Sequence, residues 1–405
     1  MKTIGIVVEY NPFHNGHLHH LLEANKATNA DTVIAVMSGN FLQRGEPALV
    51  DKWTRTKMAL DAGVDLVVEL PYAFATQKAE VFSHGAIFIL HHLQCEGFVF
   101  GSEDGRIQPF METAATMNKY HQKLEQATKT FMDLGNSYPK AMTLAREEIL
   151  PAGTSLDLSQ PNNILGYHYI RANQKLRSPM KPYTIKRKSA HYHDEQLGEE
   201  TIASATSIRK AITSQKNQLE AVSRFLPSTT LRHLEEYLSK YHQFHTWETY
   251  WPFLRYRLIS ATPHELRNIY EITEGIEHRL MEGARKANTF LNFMDLVKTK
   301  RYTWTRIQRM LLHILTNTSK EVMLNQCQNP EFIRILGMNA KGQRHIKKIK
   351  KETNLPLISN AASNKELLSL DIKATEIYAQ GLPSVISTSL LHSEYKQPPI
   401  IRKDE

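Results

Sequence analysis

Only two of the 405 residues are cysteine, Cys95 and Cys327. Two thiols build neither a disulfide framework nor a four-ligand zinc site, and a chain of this kind belongs in a reducing cytoplasm. Long apolar runs are missing as well, since none reaches the ~18 residues that span a bilayer. The opening "MKTIGIVVEYNPFHNGH" lacks an extended apolar core and a small-residue cleavage site, so it does not read as a signal peptide. No low-complexity tract and no internal repeat is visible.

What is present is an ordinary soluble composition, 41% hydrophobic and 22% charged. At 405 residues the chain exceeds one simple core, and two or three domains are expected. The formal net charge is +9, unevenly spread. Between Met281 and Lys351 there are 15 Lys and Arg against 4 Asp and Glu, which leaves the remainder slightly acidic. Such asymmetry suggests a polyanion-binding face, although solvated helix faces would look the same.

Residues 1–215 alternate apolar runs with helical periodicity. "TIGIVVEY", "DTVIAVMSG", "VDLVVELP", "CEGFVFGS" and "PYTIKRK" read as strands. "GHLHHLLEANKAT", "LVDKWTRTKMALDAG" and "KAEVFSHGAIFILHHL" read as helices between them. Continuous Val/Ile/Leu strands spaced by helices predict an α/β domain with a parallel sheet covered on both faces, and a ligand beyond the strands' carboxyl ends. A helical insertion is expected near 115–150. From 216 to 350 the i, i+3, i+4 spacing of "LRHLEEYLSKYHQ" and "TRIQRMLLHILTN" predicts a mostly α-helical, basic domain. The segment 351–405 is expected to pack back on the body.

The chemistry concentrates at the first strand-to-helix junction, His14-Asn15-Gly16-His17. A helix N-terminus presents unpaired N–H groups and partial positive charge, and therefore receives phosphate. Gly16 lets the backbone approach an anion. His14 and His17 can donate hydrogen bonds to it, and His20 follows one turn later on the same face. A metal pair or a plain loop would also contain two histidines, but no carboxylate or cysteine stands at ligand spacing. Farther on, "IASATSIRKAI" places Ser204 and Thr206 ahead of a helix and Arg209 within it, a cap whose hydroxyls can turn to phosphate and a guanidinium that can grip it.

These two stretches resemble the HxGH superfamily of nucleotidylyltransferases and class I aminoacyl-tRNA synthetases, whose second motif often reads I-S-S-T-x-I-R. Here one serine of that motif is Ala205. The ordered run "GIVVEYNPFHNGHLHHL", "MSGNFLQRGEPALVDKWTRTKMAL", "DLVVELPYAFATQKAEVFSHGA", "FGSEDG", "QPNNILGYHYI" and "SATSIRKAI" is similar, over nearly the full length, to the bacterial tRNA(Met) cytidine acetate ligase family. The resemblance implies a Rossmann-like ATP-binding sheet domain. It also implies a reaction in which ATP, normally handled with Mg²⁺, activates acetate as acetyl-adenylate. The acetyl group then passes to N4 of the wobble cytidine (C34) of elongator tRNA(Met), yielding N4-acetylcytidine.

Carried onto this chain, the resemblance implies catalytic roles for His14, His17 and Arg209. It implies an ATP site from Val7, Val8, Glu9, Tyr10, Asn11, Pro12, Phe13, His14, Asn15, Gly16, His17 and His20, completed by Gly101, Asn162, Arg187, Lys188, Ser204, Thr206 and Arg209. Taken singly, Gly101 could be a turn glycine, Asn162 a helix cap and Arg187 a surface charge. Glu9 is a candidate base, or a structural acceptor. For the RNA, Lys298, Lys300, Arg301, Arg306 and Arg309 are interleaved with Tyr302 and Trp304, which could stack on bases or belong to a core. Lys341, Arg344, Lys347, Lys348, Lys350 and Lys351 follow in "KGQRHIKKIKK". Two other readings remain: a nucleotidylyltransferase that activates a small metabolite with ATP or CTP, and an RNA binder whose nucleotide fold is inactive. Oligomeric state leaves no signature here.

Overall fold

The computed structural model describes residues 2–150, 156–187, 201–214, 219–273 and 275–403. Strands β1 (Thr3–Val8), β2 (Thr32–Ser38), β3 (Leu66–Leu70), β4 (Gly97–Ser102) and β5 (Lys181–Lys186) arise where the apolar runs predict them. Every residue of β2 and β3 is buried, which requires cover on both faces of the sheet. All neighbouring pairs among these five strands are parallel, in the order β5-β4-β1-β2-β3.

The sheet then takes in strands from much later in the chain. β6 (Ile333–Met338) pairs antiparallel with β3. Its other neighbours are β7 (Leu357–Ile358) and β8 (Ile400–Ile401), which pair with opposite ends of it. The sequence pattern places this run inside the helical span because Arg334 interrupts it. That charge is buried with Lys52, Glu69 and Glu394: Lys52 Nζ lies 2.8 Å from Glu69 and 3.0 Å from Glu394, and Arg334 bonds Glu394 as well. Four charges of alternating sign neutralise one another inside the fold, and they tie the helix Ser384–Lys396 to the sheet.

Between β4 and β5 come three insertion helices, Ile107–Lys119, His121–Asp133 and Tyr138–Ile149, and then the helix Pro161–Lys175. From Ser228 to Gln326 the chain is helical, and its core of Trp247, Trp251, Phe290 and Phe293 is continuous with the sheet's core. Among the described residues no helix is long and apolar enough to cross a membrane.

Candidate active site

β1 ends at Val8, and the chain turns through Tyr10, at φ 50°, and a cis Asn11–Pro12 bond into the helix Asn15–Thr28. His14 is that helix's N-cap. Its Nδ1 accepts from the Gly16 N–H at 3.0 Å, and His17 Nδ1 accepts from the His14 N–H at 3.3 Å. This reciprocal box satisfies two otherwise open amides. It also makes both Nδ1 atoms acceptors, so each neutral ring carries its hydrogen on Nε2. The rings stack with centroids 3.8 Å apart, and Tyr10 meets His17 edge-on at 5.0 Å.

A cleft of about 270 Å³ opens beside this turn, at the carboxyl ends of β1 and β4. There the strand order reverses direction, the usual ligand position in such sheets. Val7, Val8, Glu9, Tyr10, Asn11, His14, Gly16, His17, His20, Gly101, Asn162, Arg187, Ser204, Thr206 and Arg209 all line it. Three residues of the expected run do not. Phe13 and Pro12 are buried, and Asn15 Nδ2 points away to the carbonyls of Thr201 (2.9 Å) and Arg224 (3.0 Å). These three shape the turn instead of the cavity. Lys188 lies outside the described residues.

The far wall is built by hydrogen bonds between segments. Arg187 Nη1 donates to Asn162 Oδ1 at 3.2 Å, and Asn162 Nδ2 donates to Glu103 Oε1 at 2.6 Å. At Gly101 a Cβ would stand in ordinary contact with the Arg187 side chain (3.4 Å) and His20 (3.6 Å), so the bare backbone widens that strand end slightly. Ser204 Oγ accepts from the Ser207 N–H at 3.0 Å at the start of the helix Ala205–Ser214. Arg209 reaches back across the cleft mouth. Its Nη1 donates to Asn11 O and its Nη2 to Glu46, both at 3.0 Å.

Gln43, Arg44 and Glu46, in the loop after β2, also line the cleft, with Phe82, Leu165 and Tyr169 as apolar walls. Reading by motif missed them. The signal available was positional: the loop leaves the carboxyl end of a central strand and carries charges on both sides of a glycine.

Burial dominates the electrostatics. It holds His14 down to about 3 and His20 down to about 4, with the guanidinium of Arg187 acting in the same direction. His17 is well below its ordinary value through burial, then through His14 and Arg187. All three imidazoles are therefore neutral at pH 7. Arg44, Lys186, Arg187 and Arg209 bring positive charge to the cleft, and the two stacked imidazoles supply neutral N–H donors. Glu9 accepts the Gln43 N–H at 2.8 Å, and burial raises its carboxyl above the usual value.

The basic residues fall in two places. Lys298, Lys300 and Arg301 are exposed, leading into the helix Trp304–Leu315. Arg306 donates to Thr273 Oγ1 at 3.2 Å and lies over the Tyr302 ring, while Tyr302 is buried and donates to Thr273 O at 3.2 Å. Tyr302 is thus a core residue and not a stacking surface. Arg309 is buried too, paired with Glu271 at 2.9 Å, and has no exposed face for a phosphate. The second group lies on and just after the helix Ala340–Ile349, where Lys341, Arg344, Lys347, Lys348, Lys350 and Lys351 are all exposed. This helix is fixed at the other end of the sheet. Asn339 Nδ2 bonds Asp65 at 2.7 Å and His345 bonds Leu93 O at 2.8 Å, residues that precede β3 and β4. A strand of six residues, about 20 Å, separates it from the cleft.

The family described as HIGH Nucleotidyl Transferase matches residues 1–391. The curated tRNA(Met) cytidine acetate ligase of Lysinibacillus sphaericus (strain C3-41) is 49% identical over 404 residues, covering 99% of this chain and 100% of the relative. That of Bacillus subtilis (strain 168) is 49% identical over 410 residues, covering 100% and 98%. Among solved structures, Thermotoga maritima TmcAL in its apo form matches with a TM-score of 0.91 at 33% identity. The same protein bound with alpha-thio ATP matches with a TM-score of 0.91 at 32% identity, and both cover the whole of each chain. By the family match over residues 1–391 and by relatives 49% identical over essentially its whole length, the chain belongs to the HIGH nucleotidyl transferase family and, within it, to the tRNA(Met) cytidine acetate ligases.

Proposed function

We propose that this chain is an ATP-dependent ligase that activates acetate as acetyl-adenylate and transfers the acetyl group to N4 of the wobble cytidine of elongator tRNA(Met). The observation that carries this reading is the capped, stacked pair His14 and His17 at a helix N-terminus, lining a cleft that Arg187 and Arg209 also line.

A carboxylate oxygen of acetate attacks the α-phosphorus of ATP, the new P–O bond forms, and pyrophosphate leaves with its bonding electrons. Negative charge builds on the non-bridging oxygens during this step. The Nε2–H groups and the first-turn amides of the helix Asn15–Thr28 are fixed donors for that charge, in place before the reaction and needing no reorganisation. Arg209 and Arg187 take the leaving phosphates, with Ser204 and Thr206 beside them. Gly101 and Asn162 hold the adenosine end. In the second step the cytidine amine attacks the acetyl carbon, the bond from that carbon to the phosphate oxygen breaks with its electrons leaving on AMP, and the amine gives up one proton to solvent. The apolar walls Phe82, Leu165 and Tyr169 limit water near the mixed anhydride.

The carboxylates at hand do not suit a resident magnesium site. Glu9 is bonded to the Gln43 amide and Glu46 to Arg209, and among the described residues no three His, Cys, Asp or Glu side chains cluster as metal ligands. Magnesium belongs here to ATP as substrate, and no step is assigned to it. The exposed cations at 298–301 and 341–351 serve the tRNA phosphates.

The test is acetate-dependent ATP–pyrophosphate exchange, followed by transfer of labelled acetate to elongator tRNA(Met). Both activities are expected. Exchange without any transfer to RNA would replace this reading with a metabolite-activating nucleotidylyltransferase, and RNA binding without exchange would replace it with an inactive binder.

A further inference from the structure

The loop after β2 is a small hairpin. Phe41 and Pro47 bridge its two arms, Leu42 N–H donates to Glu46 O at 2.9 Å, and Gly45 N–H donates to Leu42 O at 2.9 Å. Its tip, Gln43 to Glu46, sits between the cleft and the helical region. On the helical side Gly45 has φ 73° and lies so close to the backbone of Gln308 and Arg309 that a Cβ would overlap it. The buried Trp247 Nε1 donates to Gly45 O at 3.0 Å. On the cleft side Glu46 Oε2 accepts from Arg209 Nη2 at 3.0 Å, with about a quarter of the Glu46 side chain exposed.

We propose that Glu46 is the positioning residue for Arg209, and that the hairpin tip registers this phosphate-gripping guanidinium against the helical region. Up to three of the five guanidinium N–H groups are spent on orientation: Nη1 donates to Asn11 O, and Nη2 to Glu46 and, at 3.5 Å, to Thr206 Oγ1. The remainder are then presented in a fixed plane to the triphosphate, which suits a bidentate contact. Glu46 could act as a mere fold anchor, but its carboxylate is hydrogen-bonded to Arg209, whereas bonds to the backbone of the loop already fix the tip. The inference rests on the proposed ATP chemistry.

It is tested by a double-mutant cycle of Glu46→Ala and Arg209→Ala, read in acetate-dependent exchange and, separately, in direct ATP affinity. Glu46→Ala alone should lower exchange about 10- to 100-fold, the scale of a misplaced reacting group, with an unchanged melting temperature. In the Arg209→Ala background the same substitution should cost less than about 2-fold, because its effect runs through the missing guanidinium. Glu46→Gln keeps an acceptor oxygen and should recover part of the loss. Equal losses from Glu46→Ala in both backgrounds overturn the proposal, as does a wild-type rate in the single variant. If the wild-type protein shows no acetate-dependent exchange, the ligase reading fails. The cycle on ATP affinity then still decides the positioning role.

Discussion

His14 and His17 stack face to face, 3.8 Å between ring centroids, while each uses Nδ1 to close the helix start. Capping and catalysis therefore reside in the same two side chains, and substitution can separate them. Asn at an N-cap keeps an acceptor for the Gly16 amide but offers no donor at the Nε2 position. His14→Asn should therefore melt near the wild-type temperature and lose about 100-fold or more in exchange. His14→Ala should lose the same activity and about 1 kcal/mol of stability as well. Thermal melts of the two variants beside exchange rates check this, and equal stability in both would remove the capping role.

The buried imidazoles also set an acid limit on the fold. His14, His245 and His313 are each held down to about 3 by burial, far below the ordinary 6.5 of a histidine in an unfolded chain. Between those values the unfolded chain binds protons that the folded protein refuses. Stability is therefore full above pH 6.5 and falls as pH drops toward 3, by up to about 1.4 kcal/mol per pH unit for each of the three. Melting temperature measured from pH 7 to pH 5 should fall steeply. The His14→Asn variant should show a slope shallower by about one proton, and an identical slope would mean that His14 titrates normally.

Local pattern carried the reading of β1 to β4 because each is an apolar run bounded by a helix, a signal contained in a few neighbouring residues; β5, Lys181–Lys186, is a weaker half-buried run at the sheet edge. The site was legible where a backbone feature demanded particular residues, as at His14, Gly16 and His17. β6 escaped because Arg334 breaks its apolar run, and only Glu69 and Glu394, brought from far along the chain, make that charge tolerable inside. Glu46 escaped for the same kind of reason, since its role exists only through Arg209, 163 residues away. Arg309 is the converse case. Its place among Lys298, Lys300, Arg301 and Arg306 suggests a solvent-facing charge, while helical periodicity turns it inward to Glu271.

Arg309 thus supports the fold. Removing it leaves Glu271, a half-buried carboxylate whose inner Oε2 has no hydrogen-bond partner among the described residues, without its ion pair. Arg309→Ala should cost about 3 kcal/mol in chemical denaturation, and Glu271→Gln should restore part of that loss. Lys300→Glu, at an exposed position in the same stretch, should stay within about 0.5 kcal/mol of wild type. Equal stabilities for the Arg309 and Lys300 variants would show that the Glu271 pair contributes nothing.

The exposed cations of the helix Ala340–Ile349 stand about a strand length from the cleft, at the amino ends of β3 and β4. An RNA that places its wobble base in the cleft must reach them with phosphates some distance from that base. Their contribution is then electrostatic and indifferent to sequence, and it should appear in binding without touching the chemistry at the α-phosphorus. Lys347→Glu with Lys348→Glu should raise the apparent KM for tRNA about 10-fold or more. It should also flatten the dependence of log Kd on log salt by about two phosphate contacts, because each neutralised phosphate releases its condensed counterion. Exchange in the absence of tRNA measures the first step alone and should hold in the same variant, since neither lysine lines the cleft. A parallel fall in exchange and tRNA transfer would mean that the helix supports the sheet instead of the RNA. An unchanged salt slope would mean that these lysines are solvated charges, leaving the stretch from Lys298 to Arg306, next to the hairpin at Gly45, as the phosphate-binding surface.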